Sequence, residues 1–150
     1  MCDNHPALKT KGVLSPLAVI KSNRSESEME FVYNARQLQI YTIQKCVGFP
    51  KRYTFYLAQP IADLATQIHH HVKCANSIYP TNQHEVQMRR DYLLKANAEL
   101  QSLVSQIEVA AEIFGLEPDA LKYWMEFVEK EIRLVKAVMK KDKERYKNIL

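Results

Sequence analysis

From residue 26 onward, apolar residues recur at alternating steps of three and four, and no segment alternates at period two, so the pattern predicts helices throughout. The run Ser25-Glu26-Ser27-Glu28 fits a capping box, with a serine hydroxyl ahead of a carboxylate three residues on, and starts a first helix near Glu26. Its apolar positions pass through Phe31, Ala35, Leu38 and Ile43 to about Val47, where Gly48-Phe49-Pro50 ends it. A second helix is predicted over about 51–78, with the seam Leu57, Ile61, Leu64, Ile68, His71, Ala75 and Ile78. Pro60 inside that span predicts a kink or a late start. Tyr79-Pro80-Thr81-Asn82 makes a turn, and Asn82 with Glu85 forms a second capping box. A third helix over about 83–114 repeats Val86, Leu93, Leu100, Ile107 and Phe114 at sevens, complemented by Ala96, Leu103 and Ala110. Gly115 stops it, and Pro118 opens a fourth helix that continues to about Tyr146. Helices joined by short loops bury such seams most economically as an all-α, up-down antiparallel four-helix bundle, here over residues 25–150.

The fourth helix carries more apolar surface than one bundle seam requires. Leu121, Met125, Val128, Ile132, Val135 and Met139 form one line, and Trp124, Phe127, Leu134 and Val138 form a second about a quarter-turn away. Together they cover roughly half the circumference, wider than the stripe of about 100° that a surface helix buries. We read the second line as an oligomer interface, with the filling of a wide core by Trp124 and Phe127 as the competing account.

Composition narrows this picture without changing it. A chain of 150 residues is long enough to bury one core. Three glycines are too few for turn-rich β architecture or for Gly-rich phosphate loops. No apolar run approaches the roughly 20 residues that span a bilayer, and the short stretch from Val13 to Ile20, interrupted by Pro16, does not read as a signal peptide. Cys2, Cys46 and Cys74 are odd in number and far apart, which suits a reduced, cytoplasmic chain better than a disulfide framework. Residues 1–24 have no sustained period and hold Pro6, Gly12, Pro16, Lys9, Lys11, Lys21 and Arg24. They read as a flexible basic arm.

Catalytic and metal chemistry find little support. His69, His70 and His71 are consecutive, so on a helix they point about 100° apart and cannot face one ion. His71 falls on the seam and His69 and His70 face outward; no metal site is expected. Ser102 and Ser105 lie in a helix without a nucleophile elbow, and Cys74 has only sequence-near histidines, which helix geometry is expected to point elsewhere. Glu108, Glu112, Glu126 and Glu129 read as solvated faces rather than buried acid-base pairs. The chain is expected to be no enzyme and to need no cofactor.

Charge is segregated along the chain. Residues 1–83 carry nine cations and five anions, residues 84–129 four and nine, and residues 130–150 eight and three. Arg133, Lys136, Lys140, Lys143 and Lys147 share one strip of the fourth helix, and Lys51, Arg52, Arg89 and Arg90 add basic positions elsewhere. Cations that displace counterions from a phosphate backbone bind nucleic acid with little dependence on its sequence. Tyr53, Tyr56 and Tyr146 lie near some of them and suit stacking on unpaired bases.

Phe49-Pro50-Lys51 opening a helix with Leu57 beyond, the close Lys73-Cys74-Ala75-Asn76, an Ala/Leu-rich third helix, Phe114-Gly115 before the fourth helix and a basic final helix together resemble the accessory variability determinant of diversity-generating retroelements. That family lies within a larger group of bacterial four-helix-bundle proteins that includes those encoded in 23S rRNA intervening sequences. The likeness covers roughly residues 29–147. It implies a non-enzymatic partner of a reverse transcriptase, a basic ring-like homopentamer that binds RNA and cDNA and supports cDNA synthesis from a template RNA during mutagenic retrohoming. By position, Phe49-Pro50-Lys51 matches the family's turn, and the basic positions of the last helix match in character. Two other functions fit the same residues: a stand-alone RNA-binding protein of the rRNA intervening-sequence type, and a protein-interaction scaffold whose basic strip docks an acidic partner.

Overall fold

The first helix, α1, spans Glu26–Val47 and buries Phe31, Ala35, Leu38, Thr42 and Cys46, a four-three-four-four progression that winds one stripe around the helix. Ile43 is 39 % exposed, because the seam runs through Thr42 instead. The computed structural model describes the backbone of residues 26–149 and the side chains of residues 29–149. Ser25, the expected cap of α1, and the expected arm 1–24 lie outside the described residues.

The chain leaves α1 through two local bonds, from Gly48 N–H to the Lys45 carbonyl and from Phe49 N–H to the Cys46 carbonyl, each 3.1 Å. A short 3-10 turn, Lys51–Tyr53, and a π-helical turn, Thr54–Ala58, precede α2, Gln59–Ser77. Pro60 therefore marks a late start: it has no N–H to give, and within the first turn of α2 that donor is not needed. In the turn before it, Gln59 N–H reaches back five residues to the Thr54 carbonyl.

Helix α3, Gln83–Phe114, is capped as the capping-box pattern demands, with Asn82 Oδ1 accepting from Glu85 N–H at 3.0 Å. The Glu85 carboxylate reaches one residue further back than expected. It accepts from Thr81 N–H at 2.6 Å and from the Thr81 hydroxyl at 2.9 Å, which lowers its pKa. Gly115 ends α3 at φ 71°, the only positive φ among the described residues, and donates to the Ala111 carbonyl. Helix α4, Pro118–Arg145, begins with the Glu117 carboxylate accepting from the N–H groups of Asp119 and Ala120.

The described residues thus form four helices and no strand. α1 packs against α2 and α4, and α3 packs against α2 and α4, so each helix has two neighbours around a shared core. Ile61, Ile68, Val72, Leu93, Leu100, Leu103, Ile107, Val128 and Val135 fill its middle. Each such side chain contributes roughly 1.5–3 kcal/mol when fully withdrawn from water. Alanines 35, 65, 75, 96 and 110 in the same seams allow close backbone approach. In α2 the buried row runs through Ala65 and Val72, with Leu64 and His71 only half-buried beside it.

On α4 the buried row is Trp124, Val128, Glu131, Val135 and Val138, between the two apolar lines that the sequence separates. Trp124 and Val138 are each 1 % exposed and belong to the protomer's own core. The interface expectation is corrected for these two: their side chains have no surface left for another subunit. Phe127 and Leu134 on one flank, and Leu121, Met125, Ile132 and Met139 on the other, are partly buried against the same core. One bundle accounts for the wide apolar face because an acidic side chain, Glu131, sits in the middle of the seam and splits the pattern in two.

Candidate nucleic-acid interface

Eight cations lie between residues 130 and 149, and every one of them is exposed: Lys130, Arg133, Lys136, Lys140, Lys141, Lys143, Arg145 and Lys147. The predicted strip Arg133, Lys136, Lys140 and Lys143 runs along the solvent side of α4, while Lys147 sits in the turn after the helix ends at Arg145. At about 1.5 Å per residue the helical part of the strip is about 15 Å long.

The three carboxylates of the same stretch are treated differently by the fold. Glu131 is fully buried, and burial pushes its carboxyl up to about 8, with the Asn34 amide and Lys130 opposing that rise and Glu30 adding to it. Near neutral pH it carries mostly a proton rather than a charge. Asp142 is withdrawn into an ion pair with Arg89 at 2.6 Å. Only Glu144 is exposed, 3.7 Å from Lys147, a solvated pair of little strength. A formal excess of five in the sequence becomes, at the surface, eight cations facing one carboxylate of their own segment. Lys130 is additionally met across the helices by Glu30 at 3.2 Å.

Arg89 does not belong to this surface. It is 4 % exposed, donates from Nε and Nη2 to the two oxygens of Asp142, and donates from Nη1 to the carbonyls of Ala75 and Ile78. The expectation of a phosphate contact is corrected: this guanidinium occupies the seam slot between Val86 and Leu93 and ties the end of α2 to α3 and α4. The Ala75 and Ile78 carbonyls lie at the C-terminal end of α2, where the last carbonyls have no regular intrahelical donor; that of Ala75 also accepts from Ile78 N–H at 3.2 Å. Arg90 beside it is exposed.

Lys51 and Arg52 are exposed but distant from the far end of the strip. Arg52 stands 5.0 Å over the Tyr53 ring, Tyr53 stacks on Phe114, and Phe49 packs edge-on against Phe114 and Trp124. That aromatic cluster lies at the Trp124 end of α4, whereas Arg89 and Arg90 lie at the Asp142 end. Eighteen residues of helix separate Trp124 from Asp142, roughly 27 Å. The basic residues therefore do not form one patch: Lys51 and Arg52 lie at the end of α4 opposite the Asp142 end.

The histidines are engaged locally. His71 Nδ1 lies 2.8 Å from Glu99 Oε2 with Tyr92 stacked alongside. His69 does not simply face outward: its Nδ1 is 2.7 Å from Gln39 Oε1, and burial, then the charges of Lys73, Arg36 and His70, lower its pKa. His70 is exposed, and its Nε2 is 3.6 Å from Cys74 Sγ. The four-residue spacing puts this histidine on the face of the cysteine, contrary to the expectation from sequence. Cys46 is buried, and burial pushes its thiol up to about 12, which leaves almost no thiolate at neutral pH. Ser102, Ser105, Glu108, Glu112, Glu126 and Glu129 are all exposed. Among the described residues no three His, Cys, Asp or Glu side chains converge to hold a metal ion, and no helix is long and apolar enough to cross a membrane.

Sequence reading missed the buried polar set that shapes the interface. Asn34 Nδ2 donates to Glu131 Oε2 at 2.8 Å, and Trp124 Nε1 donates to the Thr42 hydroxyl at 3.1 Å. The signal was present as register: residue 131 stands three after Val128 and four before Val135, and residue 89 stands three after Val86 and four before Leu93, so both charged residues occupy seam positions. Comparison of the chain with protein-family models, curated proteins and solved structures finds no match in any of the three.

Proposed function

We propose that this protein is a non-enzymatic, nucleic-acid-binding accessory protein that associates with a reverse transcriptase and supports template-RNA-directed cDNA synthesis in mutagenic retrohoming. The observation that carries the binding half of this reading is the stretch from Lys130 to Lys147, the last part of α4 and the turn after it, where eight cations and a single carboxylate, Glu144, are exposed. One buried acid, Glu131, and one acid paired with Arg89, Asp142, leave that stretch more basic at its surface than its composition. The polymerase partner and the homopentameric ring rest on the resemblance to the accessory variability determinant family, and the cytoplasmic location rests on the odd, scattered cysteines.

In this proposal the bundle is up-down and antiparallel. Support comes from the contacts Thr42 with Trp124 and Asn34 with Glu131, which run in opposite sequence senses along α1 and α4. Ala75 with Arg89 and His71 with Glu99 do the same for α2 and α3. A ring would repeat the strip five times, and multivalency would raise affinity without any single strong contact. Phe127 and Leu134 retain partial exposure and are the members of the expected interface line that remain available to it.

The test is RNA retention by the full chain across a salt series, with Lys136, Lys140 and Lys143 replaced by Glu. Each cation that neutralises a phosphate on a single strand contributes about 0.7 to the slope of log affinity against log salt. The triple variant is expected to lose retention and at least about 2 from that slope, with helicity and assembly mass unchanged. An unchanged affinity and slope would exclude the strip as the binding surface. Co-purification with a candidate reverse transcriptase, surviving nuclease treatment, is expected if the polymerase is held by protein contact.

A further inference from the structure

The most exposed large rings of the described residues stand together on the turn between α1 and α2. Phe55 is 79 % exposed and Tyr56 is 80 % exposed, with Lys51 and Arg52, both exposed, just before them. No ring among the described residues stacks on either one. Leaving a Phe in water forfeits roughly 1.5–3 kcal/mol of burial, and adjacent exposed rings mark surfaces that meet something.

The turn is held firmly on both sides of these rings. Before them, Tyr53 stacks on Phe114 with ring centroids 5.4 Å apart and planes at 16°. After them, Leu57 and Ala58 are buried. Between the anchors, the π-helical geometry of Thr54–Ala58 leaves Thr54, Phe55 and Tyr56 facing solvent together. The Tyr53 ring also carries the Arg52 guanidinium at 5.0 Å, so one cation has a defined place on the anchoring ring that precedes them.

We propose that this turn is a second nucleic-acid contact, one that takes unpaired nucleobases by stacking on Phe55 and Tyr56 while Lys51 and Arg52 hold the adjoining phosphates. The inference rests on the reading of the chain as a nucleic-acid-binding protein, and it narrows the ligand there to single strands. Base pairs in a duplex keep their faces stacked on one another, whereas an unpaired base offers a π face to any ring. Guanidinium and ammonium groups next to the rings supply the charge complement to the backbone. An anionic bilayer is the weaker match, because surfaces of that kind use clusters of about four to eight cations and this turn has two. The site lies at the Trp124 end of α4, so a single strand bound here and a backbone bound along the strip would occupy different parts of the molecule.

The experiment compares three labelled probes on the full chain at matched salt: a mixed-sequence single-stranded RNA, a strand of abasic units with the same number of phosphates, and the corresponding duplex. The single strand is expected to bind roughly 5- to 150-fold more tightly than the abasic strand for each stacked base. Replacing Phe55→Ala together with Tyr56→Ala removes only exposed rings and is expected to erase that preference while leaving the salt slope intact. Phe55→Trp with Tyr56→Trp should keep it. Equal binding of the single and abasic strands by the unmodified protein, or a preference that survives in F55A/Y56A, would overturn this inference and leave the wider reading standing. Absence of binding to all three probes would overturn both. Vesicles of phosphatidylserine and phosphatidylcholine that sediment the protein but not F55A/Y56A, with no base preference, would assign the rings to a membrane surface instead.

Discussion

Replacing Glu131→Gln should remove a pH dependence of stability that the buried carboxyl imposes on the whole bundle. Glu131 is 0 % exposed, and burial raises its pKa from 4.5 to about 8. The unfolded chain releases this proton near 4.5 and the folded chain holds it to about 8. Stability is therefore fully present below 4.5 and is lost progressively as pH rises through about 8. At about 1.4 kcal/mol per pH unit, the loss approaches about 5 kcal/mol, a large share of the 5–15 kcal/mol that typically holds a domain together. The surroundings offer little relief to the anion: Asn34 donates one hydrogen bond to Oε2, Oε1 has no partner, and the nearby charges of Lys130 and Glu30 act in opposite directions. A glutamine keeps the acceptor for Asn34 and cannot ionise. Urea unfolding followed by helical circular dichroism from pH 5 to 9 measures the difference between the two proteins. His69 titrates in both and contributes the opposite trend, stability lost as pH falls through its lowered pKa, so it cancels in the difference. Any packing cost of the amide displaces the whole curve, and the slope is what is read. The unmodified protein should lose several kcal/mol relative to E131Q between pH 5 and 9; parallel profiles would refute the assignment of a buried, protonated Glu131.

Two further perturbations test other parts of the frame. Arg89→Met leaves Asp142 and the Ile78 carbonyl without their donor and takes one of two donors from the Ala75 carbonyl, and thermal unfolding should show a loss of about 3–5 kcal/mol, partly recovered when Asp142→Leu is added; an unshifted midpoint would mean that the guanidinium is not a cross-link. Gly115→Ala should cost about 1–2 kcal/mol, because φ 71° is a conformation L side chains rarely adopt. Gly48→Ala meets only the Lys45 carbonyl at 3.4 Å with no positive φ and should be close to neutral in urea unfolding. Equal effects at the two glycines would contradict that distinction.

The sequence by itself determined the helices, because their signals are local. The Asn82–Glu85 cap, Gly115 with its positive φ, and Pro60 and Pro118 near helix starts all act within a turn of the chain, and α3 runs from Gln83 to Phe114 as the pattern predicts. The exposed strip from Arg133 to Lys143 was legible for the same reason, since one helix's period decides which cations share a face; Lys147 falls in the turn beyond it. Tertiary structure alone decided which charged residues are surface at all. Arg89 and Glu131 stand at seam positions, yet their charge argues for solvent, and only packing supplies the Asp142 carboxylate and the Asn34 amide that make burial tolerable. The second apolar line of α4 turned inward for a related reason: Trp124 finds the Thr42 hydroxyl on α1, 82 residues away in the chain, a partner that no period within α4 can reveal. Local periodicity identifies the faces of each helix; the angle at which a face meets its neighbours depends on side chains far away in sequence, and it was that angle that placed Trp124 and Val138 in the core and left the cations of α4 outside with Glu131 and Asp142 withdrawn.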